Sequence, residues 1–185
     1  MLCLNVIIRA LVEKPYNNHL EDDHMTIVFN TLPNNLEELK QLPEASLSEP
    51  EYTAALFLAV MMHYQVNKEE TYEMLEFLKG PYGLSTYEKQ FLADRMAGGD
   101  HVVRSFFNGT SPDNDYTPTM PYTVETERGY EQELDGRMKI FITSSGADTK
   151  RHILLRHKPS TNQWFIEDQM LLAMIRTPKS QDPWA

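Results

Sequence analysis

Residues 54–62 of the chain are apolar without a break: Ala-Ala-Leu-Phe-Leu-Ala-Val-Met-Met. Just ahead of them stands Ser48-Glu49-Pro50-Glu51, a serine followed three residues later by a glutamate, with proline in the first turn. That pattern starts a helix, with the hydroxyl expected to cap one orphan amide and Glu51 to reach back to another. A helix that is apolar on every side has no face for water, so it must be enclosed. At nine residues the run is far shorter than the roughly 20 a bilayer-spanning helix needs. Its cover must therefore come from the rest of the chain.

That cover is announced by repeated start and stop signals. Asn34 or Asn35, with Glu37 or Glu38 three residues on, opens a short helix that must stop near Pro43. Asn67 with Glu70 opens a second, with Tyr72, Leu75, Phe77 and Leu78 inward and Gly80-Pro81 as its end. Ser85 with Glu88 opens a third, running through Phe91, Leu92 and Met96 to Gly98-Gly99. Asp100 is expected to cap a short helix carrying Val102, Val103, Phe106 and Phe107, which ends at Asn108-Gly109.

The pattern changes at Gly109. Residues 110–122 hold Pro112, Pro118, Pro121, Asp113, Asn114 and Asp115, which excludes a helix and predicts a loop or extended edge. Strand signals follow at 122–126, 138–144, 151–158 and 163–168, separated by Gly146-Ala147-Asp148 and Ser160-Thr161-Asn162. An earlier short strand is expected at 25–30, with Ile27 and Phe29 on its inner face. A last turn of helix is expected over 170–175. Short turns between consecutive strands imply antiparallel pairing. The predicted fold is α+β: an N-terminal helical half packed on a C-terminal antiparallel β-meander. Residues 1–24 read as an arm or extension and 25–185 as a single domain.

Several function classes are disfavoured. Apolar residues make up 41% and charged residues 24%, a globular composition. A net charge of −10 argues against nucleic acid and against anionic lipid, since both need clustered Lys and Arg. Cys3 is the single cysteine, so no intrachain disulfide and no cysteine zinc site is available. The apolar start, Leu2 to Val12, lacks the basic segment and the small-residue cleavage site of a signal peptide. The expected location is the cytoplasm. The histidines 19, 24, 63, 101, 152 and 157 show no metal-ligand spacing, and no nucleotide-binding glycine motif occurs, so neither metal nor cofactor is expected. Asp113-Asn114-Asp115 resembles the start of a calcium loop, but position twelve is Val124, so an Asx-rich turn is the better reading.

The candidate binding residues are Tyr122, Ser144, Ser145, Asp148, Arg151 and His152. They bring hydroxyls, a carboxylate, a guanidinium and an imidazole into and beside one hairpin, a set able to hold an anion or pair a nucleophile with a base. The same residues also make an ordinary β-turn, with Gly146 supplying conformational freedom and Asp148 capping it. No Gly-x-Ser-x-Gly elbow is present, so no catalytic residue is assigned.

Phe106-Phe107-Asn108-Gly109, Ser111-Pro112-Asp113-Asn114, Tyr116-Thr117-Pro118 and Pro121-Tyr122 resemble a stretch of an uncharacterised bacterial family, a domain of unknown function found mainly in Firmicutes. Ser144 to Asp148, Arg151, Leu155-Arg156, Trp164 and Asp182-Pro183-Trp184 fit the same resemblance, which spans about 25–185. It implies no activity and hands over no catalytic residues. The first expectation is a non-enzymatic binding or protein-interaction domain. The alternative is a small-molecule binder or enzyme with a pocket between helices and a curled sheet. A third reading makes the chain a component of an assembly, through a protein partner or a second copy, with Trp184 and the N-terminal arm as contacts.

Overall fold

The computed structural model describes residues 23–129 and 135–184. The expectation of an arm over 1–24 lies almost wholly outside the described residues. Strand β1 (His24–Phe29) is followed by helices α1 (Leu36–Gln41), α2 (Pro50–Met61), α3 (Lys68–Lys79), α4 (Thr86–Met96) and α5 (His101–Arg104). Then come strands β2 (Tyr122–Arg128), β3 (Arg137–Ile142), β4 (Arg151–Lys158) and β5 (Gln163–Gln169). The five strands form one antiparallel sheet in the order β1-β2-β3-β4-β5. The fold is α+β, with helices gathered in the first half and a meander in the second.

Alternation along each strand decides which face is buried. Ile27 and Phe29, Val124 and Thr126, Ile140 and Ile142, Ile153 and Leu155, and Trp164 and Ile166 are buried. These residues line one face of the sheet, as period-two patterning requires. Helix α2 packs against all five strands. All its residues except Tyr52 are buried, which is how an all-apolar helix finds its cover. Burial of a side chain such as Leu56 or Phe57 contributes about 1.5–3 kcal/mol relative to exposure.

Helix ends follow the sequence in some places and depart from it in others. Asn35 accepts from Glu38 N at 2.9 Å, and Ser85 with Glu88 forms a reciprocal capping box. Asn67 accepts from Glu69 N and Glu70 N, but the Glu70 carboxylate turns to His63 Nε2 at 3.0 Å. At α2 the expected box is not formed. Glu49 occupies the N-cap without a side-chain bond, and Glu51 is 1% exposed. Its carboxylate instead receives Nε and Nη2 of Arg128 from β2, and Nη2 also donates to Glu49 at 2.9 Å. A charge-assisted, two-toothed bond from a guanidinium outcompetes a backbone amide for a buried carboxylate. Asp100 likewise leaves the α5 cap and pairs with Arg104 at 3.1 Å.

The helical turn expected over 170–175 is absent, and a 3-10 turn forms further along the chain at Lys179–Gln181. Met174 sits at φ 54°, outside the right-handed helical region, and Leu171 N donates to Gln169 Oε1. Arg151 donates to Ala173 O and Met174 O, and Tyr116 OH donates to Arg176 O. Arg176 N bonds Gly146 O at 2.9 Å, so this segment is strapped across the β3–β4 hairpin. No helix among the described residues is long and apolar enough to cross a membrane.

Candidate functional site

The residues singled out in the sequence gather at one end of the sheet. Tyr122 opens β2 there, and the β3–β4 hairpin closes the same end. Their side chains do not converge on one point. Ser144 and Ser105 share a hydrogen bond of 2.7 Å between hydroxyls, and Gly146 N donates to Ser144 Oγ at 3.1 Å. Ser145 N donates to Ser105 O at 2.9 Å, while Ser145 Oγ meets Thr110 Oγ1 at 2.8 Å. The hydroxyls thus rivet the hairpin to α5 and to the loop after it. Asp148 is 92% exposed on its side chain and pairs with Arg176 at 2.7 Å. Arg151 is spent on Thr149, Ala173 and Met174.

His152 lies on the opposite face of β4 from Arg151, because neighbours in a strand alternate. Its ring sits 5.7 Å from that of Phe141. Burial first, and Lys139 second, push its pKa below the ordinary histidine value. Tyr122 meets Phe107 edge to face, with ring centres 5.7 Å apart. A shallow groove of about 470 Å³ runs beside this cluster, between Pro112-Asp113 and the C-terminal strap. Its cations are matched internally, Arg176 by Asp148 and Lys179 by Asp113 at 3.2 Å.

A second concavity lies between α3, α4 and β5. It has a volume of about 320 Å³. Phe57, Leu75, Leu84, Phe91, Leu92 and Ile166 make it apolar, and Tyr87 and Met170 stand at its rim, 78% and 51% exposed. Its polar groups are Lys79, Glu88, Asp168 and Gln169. Lys79 is only 6% exposed, and its Nζ meets Glu88 Oε1 at 2.5 Å. Burial pushes the Glu88 carboxyl up, but the bonds from Lys79 and Ser85 outweigh it and hold the pKa below the usual value.

Local sequence explains why the cleft exists. Helix α3 stops at Gly80, which has φ of 54° and lies against the Phe165 ring; a Cβ there would come within 2.4 Å of it. Only glycine fits so close an approach in that conformation. The turn Gly80–Tyr82 therefore presses on β5, with Tyr82 OH accepting from Arg156 at 2.8 Å, and α4 restarts at Ser85 some distance from the sheet. Glu88 serves twice, in the α4 cap and in the ion pair with the last residue of α3. The sequence reading found Ser85 and Glu88 only as a cap. The overlooked signal was Lys79, four residues after Leu75 and thus on the same inward face.

Among the described residues no group of three or more His, Cys, Asp or Glu is placed to hold a metal ion. A family model for a domain of unknown function, DUF6935, matches residues 31–179. The chain belongs to this family. The match takes in the helical layer, the cleft and strands β2 to β5 of the DUF6935 domain, and begins just after β1. No curated protein and no solved structure matches the chain.

Proposed function

We propose that this DUF6935 domain is a non-enzymatic binding module whose cleft between α3, α4 and β5 takes up the apolar part of a ligand. The observation that carries this reading is the cleft itself: about 320 Å³ of mostly apolar space with the buried Lys79 ammonium paired to a half-buried Glu88 carboxylate in its wall. Concave apolar sites with a few fixed polar groups are where small ligands bind. A cytoplasmic setting is in keeping with a single cysteine.

The test uses Nile red, a neutral dye whose emission moves to the blue in apolar surroundings. Wild-type protein is expected to bind it with a blue shift, and Leu84→Trp, which fills the cleft from its partly buried rim, to abolish the shift at unchanged melting temperature. Equal binding by both proteins would place the dye elsewhere and refute the reading.

A second reading keeps recognition at the start of β2 and the β3–β4 hairpin, with Tyr122, Ser144, Ser145, Asp148, Arg151 and His152. The meeting there of the hairpin, the 109–121 loop and the C-terminal strap supports it. The internal pairing of Arg176, Lys179 and Arg151 makes it the weaker of the two.

A further inference from the structure

We infer that the cleft's ligand presents an uncharged oxygen acceptor, a ketone in its simplest form, to the Lys79 ammonium. This deepens the binding reading and rests on it. Lys79 is the last residue of α3, 6% exposed, and lines the cleft together with Glu88. An ammonium carries three N–H donors. One reaches Glu88 Oε1 at 2.5 Å, and the other two have no acceptor among the described residues. A buried donor without a partner is costly, so this one marks a place for an acceptor.

Gln169 adds a second donor to the cleft lining. It stands opposite Ile153, which is buried, so its side chain belongs to the core face of the sheet. Leu171 N donates to its Oε1 at 3.1 Å, and its NH2 group has no partner among the described residues. The acceptors are already engaged or turned away. Glu88 Oε2 takes both the amide and the hydroxyl of Ser85, at 2.9 and 2.5 Å. Asp168 stands opposite Leu154, so its carboxylate lies on the outer face of the sheet. The cleft therefore offers more donors than acceptors. Charge narrows the head group further. A carboxylate would gain Lys79 but meet Glu88, and an ammonium would gain Glu88 but meet Lys79. A carbonyl oxygen takes the spare donors and brings no charge.

Acetophenone and ethylbenzene have nearly the same shape and differ in the carbonyl; benzoate replaces it with a negative charge. Calorimetric titration of the full chain at pH 7 compares the three. Wild-type protein is expected to bind both neutral probes, and benzoate about tenfold more weakly than acetophenone. Lys79→Met is expected to weaken acetophenone about tenfold and to leave ethylbenzene unchanged. Glu88→Gln keeps a side chain able to close the α4 cap and removes the like charge, so benzoate is expected to tighten about tenfold. This arm decides if Lys79→Met does not fold. Acetophenone held undiminished by Lys79→Met protein, benzoate bound by wild type as tightly as acetophenone, or benzoate unmoved by Glu88→Gln overturns the inference and leaves the cleft as a binding site. Failure of every probe to bind the folded protein removes both.

Discussion

Single residues carry some of the sharpest consequences of this packing. Gly146 lies under the C-terminal strap, and a Cβ added to it would meet Tyr116 OH and Ile175 Cγ2, each at 2.6 Å. Both neighbours are packed, so Gly146→Ala is expected to cost about 1–3 kcal/mol by overpacking, read as a lowered denaturation midpoint. Trp164 is buried against α2 and stacks on His157 with ring centres 4.7 Å apart. Trp164→Ala is expected to cost about 3–5 kcal/mol; an unchanged melting temperature would contradict its place in the core. His101 is buried and stacked on Tyr116. Burial, then Arg104, lowers its pKa, so the folded protein favours the neutral ring. The stability this contributes is present above the unfolded pKa of about 6.5 and is lost as pH falls through the lower folded value. His101→Phe is expected to flatten that part of the acid limb in melting curves recorded from pH 7 down to pH 5. An unaltered limb would show that other groups set it.

Among the elements, α2 and β2 are joined by charge as well as by apolar contact. Arg128 reaches from the end of β2 to Glu51 and Glu49 at the start of α2. Glu51 is almost fully buried, so removing its partner strands a charge. Arg128→Met is expected to destabilise by about 3 kcal/mol, and the double variant Arg128→Met, Glu51→Leu to recover much of that loss. Chemical denaturation of the two variants decides between this account and one in which the pair is incidental. The helices and strands themselves were legible in the sequence because local signals agree. Asn35, Asn67 and Ser85 cap where their spacing says they should, and Ile27, Phe29, Ile140 and Ile142 alternate inward. Ser48-x-x-Glu51 and Asp100 misled because a cap motif competes with other partners, Arg128 from distant sequence and Arg104 from one turn away. Residues 170–175 misled for a different reason: Met174 sits at φ 54°, which a right-handed helix does not admit, and Arg151 and Tyr116 hold the segment against the hairpin. A pocket between helices and sheet stood among the expectations, but the residues of the cleft were not legible. Its wall is built where α3, α4 and β5 meet, and each contributes residues that singly read as core, cap or strand end.

At the scale of the whole molecule, two neighbouring surfaces differ, joined where Met170 of the cleft donates its N–H to His152 O at the start of β4. One is closed by hydroxyls, matched ions and the C-terminal strap, so its polar groups already have partners. The other opens between α4 and β5, leaving apolar side chains in contact with solvent at a cost that an occupant would relieve. The binding proposal therefore rests on the cleft. Methyl resonances of Leu75, Leu84, Leu92 and Ile166, followed by NMR as octan-1-ol is added, report on it directly. Leu39 and Ile140, buried away from the cleft, serve as controls. Saturable shifts confined to the four cleft methyls are predicted. Shifts centred instead on residues 144–151 and the C-terminal strap, or no shifts in the cleft at all, would contradict the assignment of this site.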